Sequence, residues 1–447
     1  MSLDLQGKRF AVIGMARSGI GAAKLIHRLG GRALISDIKP ASELTSAIEE
    51  LREFDVEVEC GSHARAASES FEAVVLSPGV VPPTELVQSW SGRAIPVWSE
   101  LELASRSYDG RWIGVTGSNG KTTTVHLLAG ILRETGLDVA MAGNVGTAWS
   151  GLLPAPPGRV FVVEVSSFQL EYSPTVRPRV ALLLNLFENH LDRHGTMEVY
   201  AELKSRLMRN QQADDVAVLN GDDARVRHLS RGLRARIVYF GSGEPCDFRA
   251  GPEGITCHVH GCGEMLVPRG ELPLIGRHNE LNAAAAAAAA YAFGADAASI
   301  RRGLQAARPV EHRIEFVVSE NGVDYFNDSK STNMVATMTA LDAFADNVIL
   351  LFGGRPKKES FAPLAERIPH PVKAIIVFGE AVPKLREELR SRLPVREVRD
   401  LAEAVSLARH LSKPGDTVLL SPGCTSFDQF KNFEERGTTF KVMVKGA

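Results

Sequence analysis

Little in this sequence would tie it to the cell exterior or to a polyanion. Five cysteines among 447 residues are an odd number, widely scattered, which excludes a disulfide framework and fits a reducing compartment. Neither sign of charge is in excess, because 51 Lys plus Arg stand against 53 Asp plus Glu, a net charge of −2. A protein living on nucleic acid or on an anionic membrane would carry a large basic surplus, so neither is expected as a partner. Phosphorylated small molecules stay open, since a few placed cations suffice for them. No apolar run nears the ~18 residues that cross a bilayer. The opening stretch, MSLDLQGKRFAVIG, also lacks the basic and then apolar segments of a secretory signal. The expectation is a soluble, cytoplasmic protein with no membrane insertion.

Ordinary apolar content, 44%, gives a chain of this length two to four domains of ~100–200 residues, each able to bury a core. Short Val/Ile/Leu runs alternate with longer helical stretches, the pattern of α/β domains on parallel sheets. Three blocks separate, at residues 1–98, 99–308 and 309–447. The first carries strands Arg9 to Ile13, Ala33 to Asp37 and Ala73 to Leu76. In the second, strands are expected at Trp112 to Thr116, Val139 to Ala142, Val160 to Val165 and Val180 to Leu186, and the third has them at Val323 to Asn327, Val348 to Phe352, Ala374 to Phe378 and Thr417 to Leu420. The segment Gly241 to Gly270 looks like an antiparallel meander appended to the second block. Within it, Cys257-His258-Val259-His260-Gly261-Cys262 crowds its ligands too closely for usual zinc spacing and reads as a surface hairpin turning at Gly261 and Gly263. Ala283 to Ala290 form a helix whose small side chains permit close packing.

The strongest local signal is Gly114-Val115-Thr116-Gly117-Ser118-Asn119-Gly120-Lys121-Thr122-Thr123, a glycine turn between a strand and a helix beginning around Thr122. Such a turn aims backbone N–H groups and a helix N-terminus at phosphate oxygens, with Lys121 on the outer phosphates and Thr122 on Mg²⁺. It departs from G-x-x-x-x-G-K-[ST] in having Val115 where the first glycine belongs. Phe161-Val162-Val163-Glu164 ends an apolar strand in a carboxylate placed for Mg²⁺. Asn185-Leu186-Phe187-Glu188-Asn189-His190-Leu191-Asp192 puts a polar cluster on the same rim of the sheet. The N-terminal turn Gly14-Met15-Ala16-Arg17-Ser18-Gly19-Ile20-Gly21 precedes a helix, and Asp37 stands where a ribose-binding acid belongs. Ala16 occupies the glycine position that lets a dinucleotide pyrophosphate approach, so a nucleotide sugar or other diphosphate is favoured over NAD.

These segments resemble the Mur ligase family, the ATP-dependent amino-acid ligases of peptidoglycan precursor synthesis. The resemblance runs through the Thr-Gly-Ser-Asn-Gly-Lys-Thr core, Gly143-Asn144-Val145-Gly146, Glu164 to Leu170, His190 to His194, Asn279 with Asn282, His312-Arg313 and Asn327 to Asn333. The closing stretch from Ser421 to Gly437 is closest to the D-glutamate-adding branch. The resemblance implies a three-domain α/β fold, with a Rossmann-like N-terminal domain, a central P-loop ATPase-like parallel sheet and a Rossmann-like C-terminal domain. It also implies ATP and Mg²⁺ as cofactors, UDP-N-acetylmuramoyl-L-alanine and D-glutamate as substrates, and a monomer. The acceptor carboxylate would become an acyl phosphate, and the incoming amine would displace phosphate through a tetrahedral intermediate.

Residue by residue, the match assigns the triphosphate to Gly117, Ser118, Asn119, Gly120, Lys121, Thr122 and Thr123, with Asn282, Arg313 and Asp328 as further nucleotide contacts. Thr122, Glu164, His190 and Lys204 are implied around the metal. The last corresponds to a family lysine that carries a carbamate, although by its own sequence context Lys204 is an ordinary helix-surface lysine. Gly14, Met15, Ala16, Arg17, Asp37, Ser77, Pro78, Gly79, Asn144 and His190 match the UDP-substrate pocket, while Asn144 and Ser166 line the crevice of the triphosphate and metal. Lys330, Thr332, Lys357, Ser426 and Phe433 match the D-glutamate side, while Lys121, His190, Lys204 and Lys330 match the catalytic positions. One loop departs. Gly353-Gly354-Arg355-Pro356-Lys357-Lys358 lacks the aspartate that the family carries just before its lysine, which leaves Lys357 and Lys358 as alternatives. Two other readings stay open to the residues. A folylpolyglutamate-type ligase has no need of an N-terminal UDP-type domain, and a nucleotide-gated binding protein has no need of a second metal site.

Overall fold

The computed structural model describes the chain apart from Met1, Ser2, Val145, His190, Cys262, Lys358, Glu359, Pro363, residues 365–371, residues 390–394 and Ala447; of Leu191, Asp192, His260 and Leu389 it describes the backbone alone. Among the described residues there are three sheets. The first contains β1 (Arg9–Ile13), β2 (Arg32–Asp37), β3 (Val56–Cys60), β4 (Ala73–Leu76) and β5 (Val97–Ser99), all parallel in the order β3-β2-β1-β4-β5. The order reverses between β1 and β4, which opens a crevice at the carboxyl ends of those strands. Gly14 leaves β1 at φ +96°, and a Cβ on Gly19 would lie 1.8 Å from the Gly14 carbonyl oxygen, so only glycine lets the helix Arg17–Arg28 start this close to the turn.

The second sheet contains β6 (Trp112–Thr116), β7 (Val139–Gly143), β8 (Val160–Glu164), β9 (Val180–Leu183), β10 (Val216–Asn220), β11 (Arg236–Gly241), β12 (Phe248–Gly251), β13 (Gly254–Cys257) and β14 (Glu264–Pro268), in the order β14-β13-β12-β11-β10-β9-β6-β8-β7. Every residue of β6, β8 and β9 is buried, as in a parallel sheet covered on both faces. At about 1.5–3 kcal/mol for each fully buried large apolar side chain, these runs make the sheet's core. Strands β12, β13 and β14 form the expected antiparallel meander, and β13 and β14 enclose the expected hairpin through a short Val259–Gly261 turn. Strands β10 and β11 enlarge the sheet beyond the four strands expected. Strand β9 ends at Leu183, three residues short of the expected Leu186, because Leu184 to Phe187 turn off to brace the glycine loop. Ala283 to Ala290 are all fully buried within the helix Arg277–Phe293, the close packing their size allows.

The third sheet contains β15 (Glu315–Glu320), β16 (Val323–Asn327), β17 (Val348–Gly353), β18 (Val372–Phe378), β19 (Val395–Glu397) and β20 (Thr417–Gly423), in the order β15-β16-β20-β17-β18-β19. Only β15 runs antiparallel to its neighbour. The chain packs as two compact units, one of Met1–Glu271 with Leu281–Ala306, the other of Leu272–Glu280 with Ala307–Ala447. No described helix is long and apolar enough to cross a membrane.

Candidate active site

In the first unit, β6 delivers the glycine loop to the helix Lys121–Glu134, which starts one residue earlier than expected because Gly120, at φ +82°, is its N-cap. Neighbouring strand ends hold the loop. The Ser118 N–H donates to the Asn185 carbonyl at 3.0 Å and the Asn119 N–H to Asn185 Oδ1 at 2.9 Å, while Asn185 Nδ2 returns a bond to the Asn119 carbonyl at 3.2 Å. Ser118 Oγ donates to the Phe187 carbonyl at 3.0 Å and lies 3.1 Å from the buried Tyr200 hydroxyl. Lys121 Nζ folds back onto the carbonyls of Gly117 and Ser118, at 2.8 and 2.9 Å. Thr123 is buried under the loop. A Cβ on Gly120 would meet Asn282 Oδ1 at 2.3 Å, so Asn282 lies against the loop. Gly120→Ala should cost about 1–2 kcal/mol through the left-handed backbone alone. It should also weaken nucleotide binding more than tenfold by displacing Asn282; isothermal titration with ADP, alongside urea unfolding, checks both, and unchanged affinity would contradict the proposed cradle.

Beside the loop, Glu164 ends β8, 3% exposed. It accepts from Thr122 Oγ1 at 2.8 Å and from Asn144 Nδ2 at 3.0 Å. A hydroxyl and a carboxylate at a helix N-terminus are suitable donors for a hard divalent cation. His190, the other expected metal and substrate residue, lies outside the described residues. Lys204 corrects the surface reading. It is 1% exposed, donates Nζ to the Gly117 carbonyl at 2.9 Å, and sits 4.6 Å from the Tyr200 ring centroid. Burial drives its ammonium well below the ordinary lysine range; nearby Lys121 acts in the same sense and Glu164 opposes. The signal was present in the sequence, because Tyr200, Leu203, Lys204 and Leu207 share the buried face of the helix Met197–Arg209 at i, i+3, i+4 and i+7. Ser166 caps the short helix Ser167–Glu171 in a reciprocal box with Gln169, and His194 stacks on Phe168 with its Nε2 3.0 Å from Ser167 Oγ.

A cavity of about 200 Å³ opens at the switch point of the first sheet, lined by Ala16, Arg17, Ser18, Ser77, Pro78, Gly79, Asn144 and Gln169 among others. Asn144 thus belongs both to the cavity wall and to the Glu164 cluster. Gly14 and Met15 shape the turn behind it: Ser77 Oγ donates to the Gly14 carbonyl at 3.1 Å, and the Met15 N–H donates to Asp37 Oδ2 at 2.8 Å. Asp37 Oδ1 accepts from the Lys39 N–H at 3.0 Å, so this acid also fixes its own loop.

In the second unit, the segment after β16 carries Asp328 to Thr332. Asp328 accepts from Ser421 Oγ at 2.7 Å and from the Ile314 N–H at 3.3 Å. Burial raises its carboxyl to about 6, against the pull of Ser331, Ser421 and the Arg313 charge. Arg313 Nε is buried without a hydrogen-bond partner among the described residues. Lys330 Nζ lies 5.4 Å from the Phe433 ring centroid, its backbone N–H bonds the His312 carbonyl at 3.1 Å, and Phe433 meets His312 edge-on. Ser426 is buried, Thr332 half-buried and Lys357 exposed, while Lys358 lies outside the described residues. Sequence reasoning gave Arg436 no role. Its fully buried guanidinium donates to Ser329 Oγ at 2.9 Å, the Ser329 carbonyl at 2.8 Å and the Cys424 carbonyl at 3.1 Å, tying together the loops after β16 and β20. Glu311, His312 and Glu315 form the one group of potential metal ligands found among the described residues, and there the Lys441 ammonium pairs with both glutamates.

Strand-end loops of this kind, with a lysine and a buried carboxylate beside a glycine turn, define an enzyme class built for phosphoryl chemistry. The chain belongs to the Mur ligase family. It matches the Mur ligase middle domain over residues 115–290 and the Mur ligase, glutamate ligase domain over residues 312–424. One relative, named UDP-N-acetylmuramoylalanine--D-glutamate ligase, from Solibacter usitatus (strain Ellin6076), is 40% identical over 450 residues, covering 99% of both chains. Among solved structures, a pseudomurein peptide ligase type C from Methanothermus fervidus aligns over 98% of this chain and 100% of its own, with TM-score 0.61 and 18% identity. MurF ligase from Thermotoga maritima in complex with ADP aligns over 93% and 96%, also with TM-score 0.61 and 18% identity. At that identity these two likenesses establish the fold.

Proposed function

We propose that the chain is an ATP-dependent ligase that joins D-glutamate to UDP-N-acetylmuramoyl-L-alanine, acting as a cytoplasmic monomer in peptidoglycan precursor synthesis. The observation that carries this reading is the continuity from the cavity through Asn144 to Glu164, Thr122 and the Lys121 loop. A substrate seated in the cavity would present its reacting end to the residues suited to phosphate and metal. The D-glutamate identity comes from the full-length relatives and the closing Ser421 to Gly437 segment. In this reading residues 1–98 hold the UDP substrate, 99–308 ATP and Mg²⁺, and 309–447 the amino acid.

The residues fit the groups they would hold. Gly117 and Gly120 leave space where a Cβ would collide with Leu184 and Asn282, Lys121 supplies a cation, and Thr122 with Glu164 supplies hard oxygen ligands. Mg²⁺ when bound would screen the negative charge of both partners. The acceptor carboxylate attacks the γ-phosphorus, the bond to the bridging oxygen breaks and ADP leaves, giving an acyl phosphate; the D-glutamate amine then adds to the acyl carbon, and the tetrahedral intermediate loses a proton and expels phosphate to leave the amide. Lys121 stabilises charge on the transferring group. Lys204, whose burial favours the uncharged amine, is suited to CO₂: its nitrogen would bond the carbon, release a proton and become an anionic carbamate, a further oxygen ligand for a divalent cation. Lys330, Thr332, Lys357 and Ser426 supply cations and hydroxyls for the amino acid's carboxylates, with Phe433 against Lys330, and Arg313 and Asp328 contact the nucleotide.

Purified protein given ATP, Mg²⁺, UDP-N-acetylmuramoyl-L-alanine and D-glutamate should release phosphate only when both substrates are present. A screen over D- and L-amino acids checks the choice: release with L-lysine, meso-diaminopimelate or L-alanine in place of D-glutamate would overturn the amino-acid assignment.

A further inference from the structure

The loop after β17 puts Arg355-Pro356 where the family carries an aspartate, and the structure gives that arginine defined partners. Its backbone pairs with Thr425: the Arg355 N–H donates to the Thr425 carbonyl at 2.8 Å, and the Thr425 N–H and Oγ1 both donate to the Arg355 carbonyl at 3.1 Å. The pairing holds the start of the segment that carries Lys357 to the loop that carries Ser426, and the Lys357 carbonyl accepts from Lys384 Nζ at 3.2 Å. The guanidinium forks onto Glu380, with Nε 2.8 Å from Oε2 and Nη2 3.0 Å from Oε1. It also lies in the field of Asp428. Asp428 Oδ2 in turn accepts the Glu380 N–H at 3.3 Å and stands 2.2 Å from where a Cβ on Gly379 would fall. The loops after β17, β18 and β20 therefore meet at one rim, bringing together two carboxylates, Glu380 and Asp428, and one guanidinium.

An exposed ion pair contributes little to fold stability, and Arg355 and Glu380 are each about half exposed, 51% and 50%. Their importance is where the charge stands. Without the guanidinium, a ligand bearing two carboxylates would approach Ser426 and Lys357 past an unpaired Glu380 and past Asp428 with only the buried Arg436 left to offset it. We propose that Arg355 is a charge-compensating and positioning residue of the amino-acid site, pairing Glu380 and easing the field of Asp428 so that a dicarboxylic amino acid can enter; this rests on the D-glutamate reading above.

The test is steady-state phosphate release by the full-length enzyme, varying D-glutamate with the other substrates saturating, at about 20 mM and about 500 mM salt. Arg355→Ala should raise the KM for D-glutamate about five- to tenfold at low salt and about twofold or less at high salt, leaving kcat and the KM for ATP within about twofold. Arg355→Lys keeps the charge while losing the fork and should stay within about twofold of the parent, as should the double variant Arg355→Ala with Glu380→Gln. An unchanged KM in Arg355→Ala would overturn the inference. So would a salt-independent loss shared by kcat and every KM, or no recovery in the double variant. A parent enzyme idle with D-glutamate but active with another amino acid would instead overturn the functional reading, and this inference with it. A parent active with D-glutamate beside an unaltered Arg355→Ala overturns this inference alone.

Discussion

Replacing Lys204 with methionine should abolish ligation and at the same time make the protein more resistant to urea at pH 7. The two effects have one cause. The Lys204 ammonium is 1% exposed, bonded to the Gly117 carbonyl with no carboxylate in contact among the described residues, and its folded pKa is driven well below 10.5 by burial. Between those two values the unfolded chain binds more protons than the folded one, so the folded state gains stability as pH rises across the window and carries a cost at pH 7. Methionine fills a similar volume without charge. The gain should be about 1–2 kcal/mol, by analogy with buried charges exchanged for apolar groups, and the slope of stability between pH 7 and pH 10 should flatten. Urea midpoints in CO₂-free buffer measure this, and a lower midpoint would contradict it. Turnover should fall by about 10³ or more, the scale of a lost preorganised charge in a closed site. Lys204→Ala should recover part of its activity when a short carboxylate such as acetate is added. The absence of any recovery would leave the amine, and not its carbamate, as the functional group.

The second large effect is expected from Glu164→Gln. The substitution keeps the side chain's shape and can retain the bond from either Thr122 Oγ1 or Asn144 Nδ2, so the fold should change by less than about 1 kcal/mol. The negative charge, however, is lost at the single described carboxylate that faces the glycine-loop helix through Thr122. We expect kcat to fall by about 10³ or more and the Mg²⁺ requirement to shift upward, since metal ligation contributes several kcal/mol to charge stabilisation in phosphoryl transfer. Activity within threefold of the parent at ordinary Mg²⁺ would remove Glu164 from the proposed role. Thermal unfolding followed by circular dichroism separates this chemical loss from misfolding.

Most strands legible in the sequence were buried on both faces, although the half-buried edge strand Val139–Gly143 was legible too and the fully buried Val216–Asn220 was not. Val160–Glu164 and Val348–Gly353 are continuous apolar runs and every residue in them is buried. The strands not anticipated include both edges of the first sheet, β3 and β5, and both edges of the third, β15 and β19. An edge strand is only partly covered and tolerates polar residues, as in Val56–Cys60, where Glu57 is exposed and Glu59 is buried in hydrogen bonds, so its apolar signal is diluted by polar positions. The antiparallel direction of β15 was likewise unreadable, because direction is set by which partner edge the chain reaches and leaves no mark in the strand's own residues. The glycine loop was legible because its backbone demands glycine at Gly117 and Gly120 whatever surrounds it.

By itself the sequence determined the α/β class, the phosphate-type glycine turn, the strand-end carboxylate Glu164, and the absence of any bilayer-length apolar run. All of these follow from local backbone geometry and residue chemistry within a few positions. Tertiary structure alone decided that Asn144 bridges the N-terminal cavity and Glu164, that the apolar helix face carrying Lys204 lies against the glycine loop, and that Arg355 meets Glu380 and Asp428 on one rim. Each of those depends on segments from 20 to 128 positions apart in the chain. Burial and electrostatic field depend on what packs nearby in space, so a lysine that looks solvated in sequence becomes a depressed amine only once the sheet and helix close around it.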